Sequence, residues 1–127
     1  MIAFLLMMQA AATALPPSDW AALPPLRLAA APDYSGVMTR FVRDEVAAGR
    51  CAVAPAGGKA VVRLDLAVLV ANGSNQLLRV VPRAINCPTV EQFAAGVVEK
   101  AARGNIVGPP PAGDAWFRTT ITLSWDQ

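Results

Sequence analysis

The sequence predicts an α+β fold in which an N-terminal helix precedes a β-β-α-β unit. In residues 59–71 and 76–85, apolar side chains recur at every second position, and an Asn-Gly pair lies between the two segments. Residues 90–101 repeat apolar side chains at helical spacing, and residues 116–127 alternate again without glycine or proline. Alternation indicates strands with one buried face, and the i, i+3, i+4 repeat indicates an amphipathic helix. We therefore expect a three-stranded antiparallel sheet, in the order 2-1-3, with a helix covering one face.

The composition limits what the domain can do. The 127 residues are enough for one domain, and 54% of them are hydrophobic, so a core can form. A formal net charge of +2 is too small to predict a nucleic-acid partner. Histidine is absent, which removes the commonest general base and metal ligand, and no serine lies in a G-x-S-x-G motif. A small exported enzyme is therefore only an alternative, and we expect no catalytic residue, no cofactor and no metal site.

Residues 1–14 are typical of a secretory signal peptide. An apolar run from Ile2 to Met8 leads to Ala12-Thr13-Ala14, which has the pattern of a cleavage site. The alternative is a membrane anchor, but a spanning helix needs about 20 apolar residues and this run ends at Pro16. We favour cleavage, which makes the mature chain an exported protein that begins near Leu15.

Cys51 and Cys87 are the two cysteines of the chain. In an oxidising compartment an even count favours a disulfide, and two cysteines without histidine cannot complete a four-ligand zinc site. Both lie just outside predicted helix ends. We therefore expect a Cys51–Cys87 disulfide with α-carbons within about 7 Å of each other. The alternative is a pair of free thiols in a cytosolic protein.

Residues 15–32 form a proline-rich segment before the domain, which we place at residues 33–127. Because proline fixes φ and donates no main-chain hydrogen bond, we expect no regular element in this segment. We favour a loose terminus, with a semi-rigid spacer or a strap across the domain as the alternatives. Trp20 is the residue that would anchor such a segment on the surface.

The first helix is expected to begin at Asp33 or Ser35, either of which can cap it, and to end at Gly49. Its apolar stripe is formed by Tyr34, Val37, Met38, Phe41, Val42 and Val46. Asp44 and Glu45 are adjacent acids, and neighbours on a helix do not face each other. We interpret them as solvated surface charges rather than as an acid–base pair.

Pro82 places the second strand at a sheet edge, because proline cannot donate to a ladder. A capping box over Thr89–Gln92 is expected to start the second helix, and Gly104 to end it. A right-handed crossover then brings the last strand to the far side of the first strand. The predicted core face of the sheet consists of Val62, Leu64, Leu66, Val68, Val70, Leu78, Val80, Ile121 and Leu123.

The last strand contains the sequence T-T-I-T-L-S-W, and it follows a hairpin, a helix and a proline-containing loop. In this order of elements, residues 59–127 resemble the C-terminal domain of the TonB energy transducer, whose plan is related to that of the TolA C-terminal domain. The resemblance implies a periplasmic protein-interaction module rather than an enzyme. It also implies a protein partner in the cell envelope, such as an outer-membrane receptor, and a role linked to transport.

The resemblance further implies that the partner adds an extended segment to the outer edge of the last strand. An edge strand presents unpaired N–H and C=O groups to which another strand can bind. The expected partner-binding residues are Arg118, Thr119, Thr120, Ile121, Thr122, Leu123 and Trp125. A second copy of the chain is an alternative occupant, which would give a homodimer, and an edge that faces water is another.

The other face of the sheet supports a second hypothesis, a structural envelope protein. That face mixes arginines with apolar side chains: Arg63, Arg79, Arg83 and Arg118 with Leu69, Leu77, Val81 and Ile85. An arginine-rich, partly apolar surface suits a protein partner or anionic lipid headgroups. We call it the arginine face.

Overall fold

The computed structural model describes residues 15–53 and 55–126, so the predicted signal peptide lies outside the described residues. The elements in chain order are helix α1 at Ser35–Ala47, strand β1 at Pro55–Ala56, strand β2 at Lys59–Val70, strand β3 at Leu77–Pro82, helix α2 at Pro88–Ala102 and strand β4 at Ala115–Asp126. A 3₁₀ turn at Trp20–Ala22 precedes them. Within these ranges, no helix is long and apolar enough to span a bilayer.

The three long strands form an antiparallel sheet in the order β3-β2-β4, which confirms the predicted order 2-1-3. β4 pairs with β2 along the full length of both strands. β3 pairs with the opposite edge of β2, from Leu66 to Val70. β3 is therefore an edge strand, as Pro82 predicts.

The short strand β1 was not predicted from the sequence. It pairs with the first residues of β2, Pro55 opposite Ala60 and Ala56 opposite Lys59. Gly57 and Gly58, with φ of 61° and 79°, form the two-residue turn between them. Two successive positive φ angles are what the preferred hairpin turn requires, and glycine adopts them without strain. β1 and β3 thus lie along the same edge of β2, opposite β4.

A β-bulge corrects one predicted core residue. Leu69 lies opposite Arg79 and Val70 opposite Leu77, so Leu78 is an extra residue without a cross-strand partner. One inserted residue reverses which side chains face the core. Leu77 accordingly packs against the core, whereas Leu78, predicted to face inward, is 50% exposed.

Helices α1 and α2 lie on one face of the sheet and enclose the core with it. The other predicted core residues of the three strands are buried there, with Val80 at the margin. Phe41 of α1 and Phe93 of α2 stack with ring centroids 4.1 Å apart. The buried helical residues that meet the sheet are Met38, Val42, Val90, Ala94 and Val98.

Helix α2 begins earlier than the predicted capping box. Cys87 is the N-cap and Pro88 is the first helical residue, a position at which the missing proline N–H is tolerated. The Glu91 carboxylate accepts hydrogen bonds from the main-chain N–H groups of Ile85 and Cys87, each at 3.0 Å. Thr89 instead donates its hydroxyl to Glu45. The predicted capping box is therefore wrong, and Glu91 satisfies the N–H groups of Ile85 and Cys87, which precede the first helical residue.

Cys51 and Cys87 form the predicted disulfide, with their α-carbons 5.3 Å apart. Both cysteines are buried in the core. The bridge joins the segment that follows α1 to the start of α2, and this pairing agrees with an oxidising compartment.

Glu45 is buried, with only 7% of its surface exposed, so the prediction of a solvated charge is wrong for this residue. Its carboxylate accepts hydrogen bonds from Arg50 Nε at 2.6 Å, from Arg50 Nη2 at 3.1 Å and from the Thr89 hydroxyl at 2.8 Å. The bonds from Arg50, and then the bond from Thr89, hold the pKa of Glu45 below its ordinary value against the opposing effect of burial. A buried carboxylate is stable only when it is paired in this way.

Candidate functional site

The outer edge of β4 is defined by the direction of its main-chain groups. The N–H of Arg118 donates to the Pro24 carbonyl at 2.9 Å, and the Arg118 carbonyl accepts from the N–H of Leu26 at 2.8 Å. Both groups of Arg118 therefore point away from β2. Because main-chain groups alternate in direction along a strand, every second residue of β4 also points its N–H and C=O groups outward: Trp116 before Arg118, and Thr120, Thr122, Ser124 and Asp126 after it.

The proline-rich segment covers the first half of this edge. We call Trp20–Ala30 the strap, its first part, Trp20–Leu26, the arm, and its second part, Arg27–Ala30, the anchor. In the arm, Pro25 forms a parallel bridge with Arg118. The predicted loose terminus is therefore wrong, and the alternative of a strap across the domain is right.

The arm reaches β4 by crossing the arginine face. The Trp20 ring lies 5.3 Å from the guanidinium carbon of Arg83, beside β3, and Arg118 Nε donates to the Leu23 carbonyl at 2.9 Å on β4. Ala67 of β2, which pairs with Arg118 on one side and with Val81 on the other, lies between these two points and is buried although its side chain faces away from the helices. The arm therefore covers this part of the arginine face and binds two of its four arginines.

The anchor is held by the loop between α2 and β4. The N–H of Ala29 donates to the Asn105 carbonyl at 2.8 Å, and the N–H of Val107 donates to the Arg27 carbonyl at 3.0 Å. The side-chain amide of Asn105 bonds to both the N–H and the C=O of Ala30, each at 3.0 Å. Four hydrogen bonds thus fix the anchor, and Leu26 packs against the core beside it.

The second half of the β4 edge is open. Of the residues that the structure describes, none forms a ladder or bridge with the outer side of β4 beyond Arg118. The side chains of Thr122 and Ser124 are exposed, and the Thr120 hydroxyl donates to the Asp65 carboxylate at 2.7 Å on the outer face. The outward main-chain groups from Thr120 to Ser124 form the candidate site, which we call the open edge.

All seven predicted binding residues lie on β4, but some of them are buried in the core or already bound by the arm. The side chains of Ile121 and Leu123 are buried in the core, and Trp125 packs against its margin. Arg118 is already bound by the arm. Ser124 was missed because the sequence pattern was read for side chains, whereas the strand alternation also fixes the direction of the main chain.

A second opening lies on the opposite edge of the sheet, between β1 and β3. Among the described residues, no strand pairs with Val61–Leu64 of β2 on this edge. A cleft of about 170 Å³ opens there, lined by valines of α1, β2 and α2, by Ile85 and by the Cys51–Cys87 disulfide. Arg63 is the one charged residue among the described residues that line this cleft, so these residues bring no acid–base pair together. Nor do three metal-ligating side chains meet anywhere in the described ranges.

Comparison of the chain with protein-family models, with curated proteins and with solved structures found no match. The geometry of the open edge is therefore the basis for assigning a function.

Proposed function

We propose that the chain is an exported, periplasmic protein-interaction module, resembling the TonB C-terminal domain, that binds an extended segment of an envelope partner on the open edge. One observation carries the proposal. β4 pairs along its full length with β2, but its other side is bridged only at Arg118 within the described part of the chain. The partner segment adds there as a further strand, beside Thr120–Ser124. A role linked to outer-membrane transport follows from the resemblance alone.

The surroundings of the open edge favour a partner segment with alternating side chains. Main-chain hydrogen bonds supply most of the affinity in strand addition, and pockets for alternate side chains supply the selectivity. On one face of the sheet the added strand meets α1, which packs against β4. On the other face it meets water beside the exposed side chains of Thr122 and Ser124. A segment with apolar residues toward α1 and polar residues toward water fits both faces.

The arginine face is the weaker candidate. The arm binds Arg83 and Arg118, and Asp65 lies 3.7 Å from the Arg63 guanidinium. A partner on that face would compete with the arm and with Asp65, whereas a partner on the open edge meets neither.

The proposal is tested by comparing Thr122→Pro with Thr122→Ala in the mature chain. Proline removes the outward N–H and places a ring in the path of an added strand, whereas alanine keeps the donor. In capture from envelope extract, we expect Thr122→Pro to lose at least about tenfold in affinity for its partner and Thr122→Ala to bind like the parent. Both variants must retain a cooperative melt. A folded Thr122→Pro variant that captures the same partner as well as the parent rules the open edge out.

A homodimer through the same edge is distinguished by mass in solution. If a second copy occupies the open edge, the parent sediments as a dimer and Thr122→Pro as a monomer. If the edge serves a different protein, both sediment as monomers and only capture changes.

A further inference from the structure

We infer that the arm is a built-in occupant of the β4 edge that gives way when a partner strand pairs along the whole of β4. The identity of such a partner rests on the proposed function, but the release of the arm does not. With the arm bound, the edge is open only from Thr120 to Ser124. Release of the arm adds the outward main-chain groups of Arg118 and lengthens the edge.

The arm is held to β4 at one residue. All described hydrogen bonds between the two converge on Arg118: two from its main chain and one from its guanidinium. Besides these hydrogen bonds, the Trp20 ring contacts Arg83 and the Leu26 side chain packs against the core at the point where the arm joins the anchor. Segments with few buried contacts open locally at a small fraction of the global unfolding free energy. The four hydrogen bonds of the anchor make it the firmer part, so the arm can open while the anchor stays in place.

The prolines of the arm exclude a partner from adding outside it. The Pro24 carbonyl and the Leu26 N–H face β4, so the ring nitrogen of Pro25, between them, faces away. Proline has no N–H to donate, and it ends a sheet at the strand that carries it. A partner strand that is to reach Arg118 must therefore replace the arm rather than extend the sheet beyond it.

The anchor keeps the released arm close to its site. A tethered segment rebinds at a high effective concentration, which depends on the length and stiffness of its linker. Here the arm is directly continuous with the anchor at Leu26-Arg27. The arm therefore competes with any partner that pairs with Arg118, and such a partner binds more weakly than it would without the arm. A partner that binds only the open edge does not compete with the arm.

Amide hydrogen exchange of the mature chain alone tests whether the arm opens by itself. The Arg118 and Leu26 amides report the arm, and the Ala29 and Val107 amides report the anchor. Trp20→Ala removes the ring that contacts Arg83, Arg83→Ala removes its partner, and Trp20→Phe is the matched control that keeps a ring. An exposed cation–π contact changes an equilibrium by roughly two- to fivefold. We expect both alanine variants to raise the exchange rates of Arg118 and Leu26 by that factor and to leave Ala29 and Val107 unchanged.

The inference is overturned if the four amides exchange together in the parent, or if neither alanine variant changes the Arg118 rate. A labelled peptide with the sequence of residues 18–26 provides a second test, because it can take the place of the arm. We expect it to bind Trp20→Ala roughly two- to fivefold more tightly than the parent. Thr122→Pro should leave this binding unchanged, since the described hydrogen bonds from the arm to β4 all go to Arg118. Peptide binding that is equal for Trp20→Ala and the parent, or absent from both, also overturns the inference. These outcomes are independent of the capture experiment, so either proposal can fail alone.

Discussion

The Thr89 hydroxyl donates a hydrogen bond to the Glu45 carboxylate at 2.8 Å, which joins the first turn of α2 to the last turn of α1. Arg50 binds the same carboxylate through two guanidinium nitrogens. Cys51 directly follows Arg50 in the sequence, and its disulfide partner Cys87 lies two residues before Thr89. A charged cluster and a covalent bond therefore connect the same two segments.

The first prediction concerns the pH dependence of stability. The pKa of Glu45 is lower in the folded chain than its ordinary value of 4.5. The carboxylate therefore stabilises the fold above pH 4.5, and this contribution is lost as the pH falls through the lowered pKa of the folded state. We expect Glu45→Gln to be less stable than the parent at neutral pH and to lose less stability on acidification. Urea midpoints measured at pH 7 and at several lower pH values check this.

The control for Glu45 is its exposed neighbour Asp44. Asp44→Asn should change the stability at neutral pH by no more than about 0.5 kcal/mol, as is usual for surface positions. If Glu45→Gln follows the pH profile of the parent, the carboxylate does not carry the acid sensitivity that we assign to it.

The second prediction concerns the disulfide. It closes a loop with a sequence separation of 36 residues. In the chain-entropy model, closing such a loop stabilises the fold by about 3–4 kcal/mol. We expect reduction, or replacement of both cysteines by alanine, to lower the free energy of unfolding by that amount. Two titratable thiols in the exported protein would contradict the bridge.

The third prediction separates two neighbouring leucines. Leu77→Ala should cost about 1–2 kcal/mol, because its side chain packs against the core without being fully buried. Leu78→Ala should cost no more than about 0.5 kcal/mol, because the bulge turns Leu78 toward water. Denaturant unfolding of the two variants measures both values. A larger loss for Leu78→Ala than for Leu77→Ala would place the strand in the unbulged register.

Side-chain periodicity predicted the parts of the fold that have a single buried face. Apolar side chains at every second position from Val62 to Val70 and along β4 predicted both strands, and Pro82 with a right-handed crossover predicted their order. The bulge at Leu78 has no such signal, because an inserted apolar residue in an apolar run leaves the pattern readable in either register. β1 is too short to show periodicity, and only the adjacent Gly57 and Gly58 mark its turn.

The segment that occupies the first half of the β4 edge was harder to predict from the sequence. The hydrogen bonds between the arm and β4 are made largely by main-chain groups of Pro24, Leu26 and Arg118. Because most residue types have the same main-chain groups, such bonds cannot be recognised from the amino-acid sequence. Glu45 was misread for a related reason. Its burial depends on hydrogen bonds from Arg50 and Thr89. Thr89 lies in the first turn of α2, far from Glu45 in the sequence, and only folding brings the two residues together.

The fourth prediction concerns export. The apolar run and the Ala12-Thr13-Ala14 pattern predict cleavage after Ala14. N-terminal sequencing of protein recovered from the periplasm should begin at Leu15. Recovery of an intact Met1 in the membrane fraction would support an anchor instead.

The most direct test of strand addition at the open edge is amide exchange along β4, because outward and inward amides alternate along this strand. The partner captured by the parent chain is bound, and amide exchange is measured residue by residue with and without it. We expect protection to increase at the outward amides of Thr120, Thr122 and Ser124. The inward amides of Thr119, Ile121 and Leu123 should not change, because they already pair with β2. Protection that appears around Arg63 and Arg79, with β4 unchanged, would contradict strand addition at the open edge and move the binding site to the arginine face.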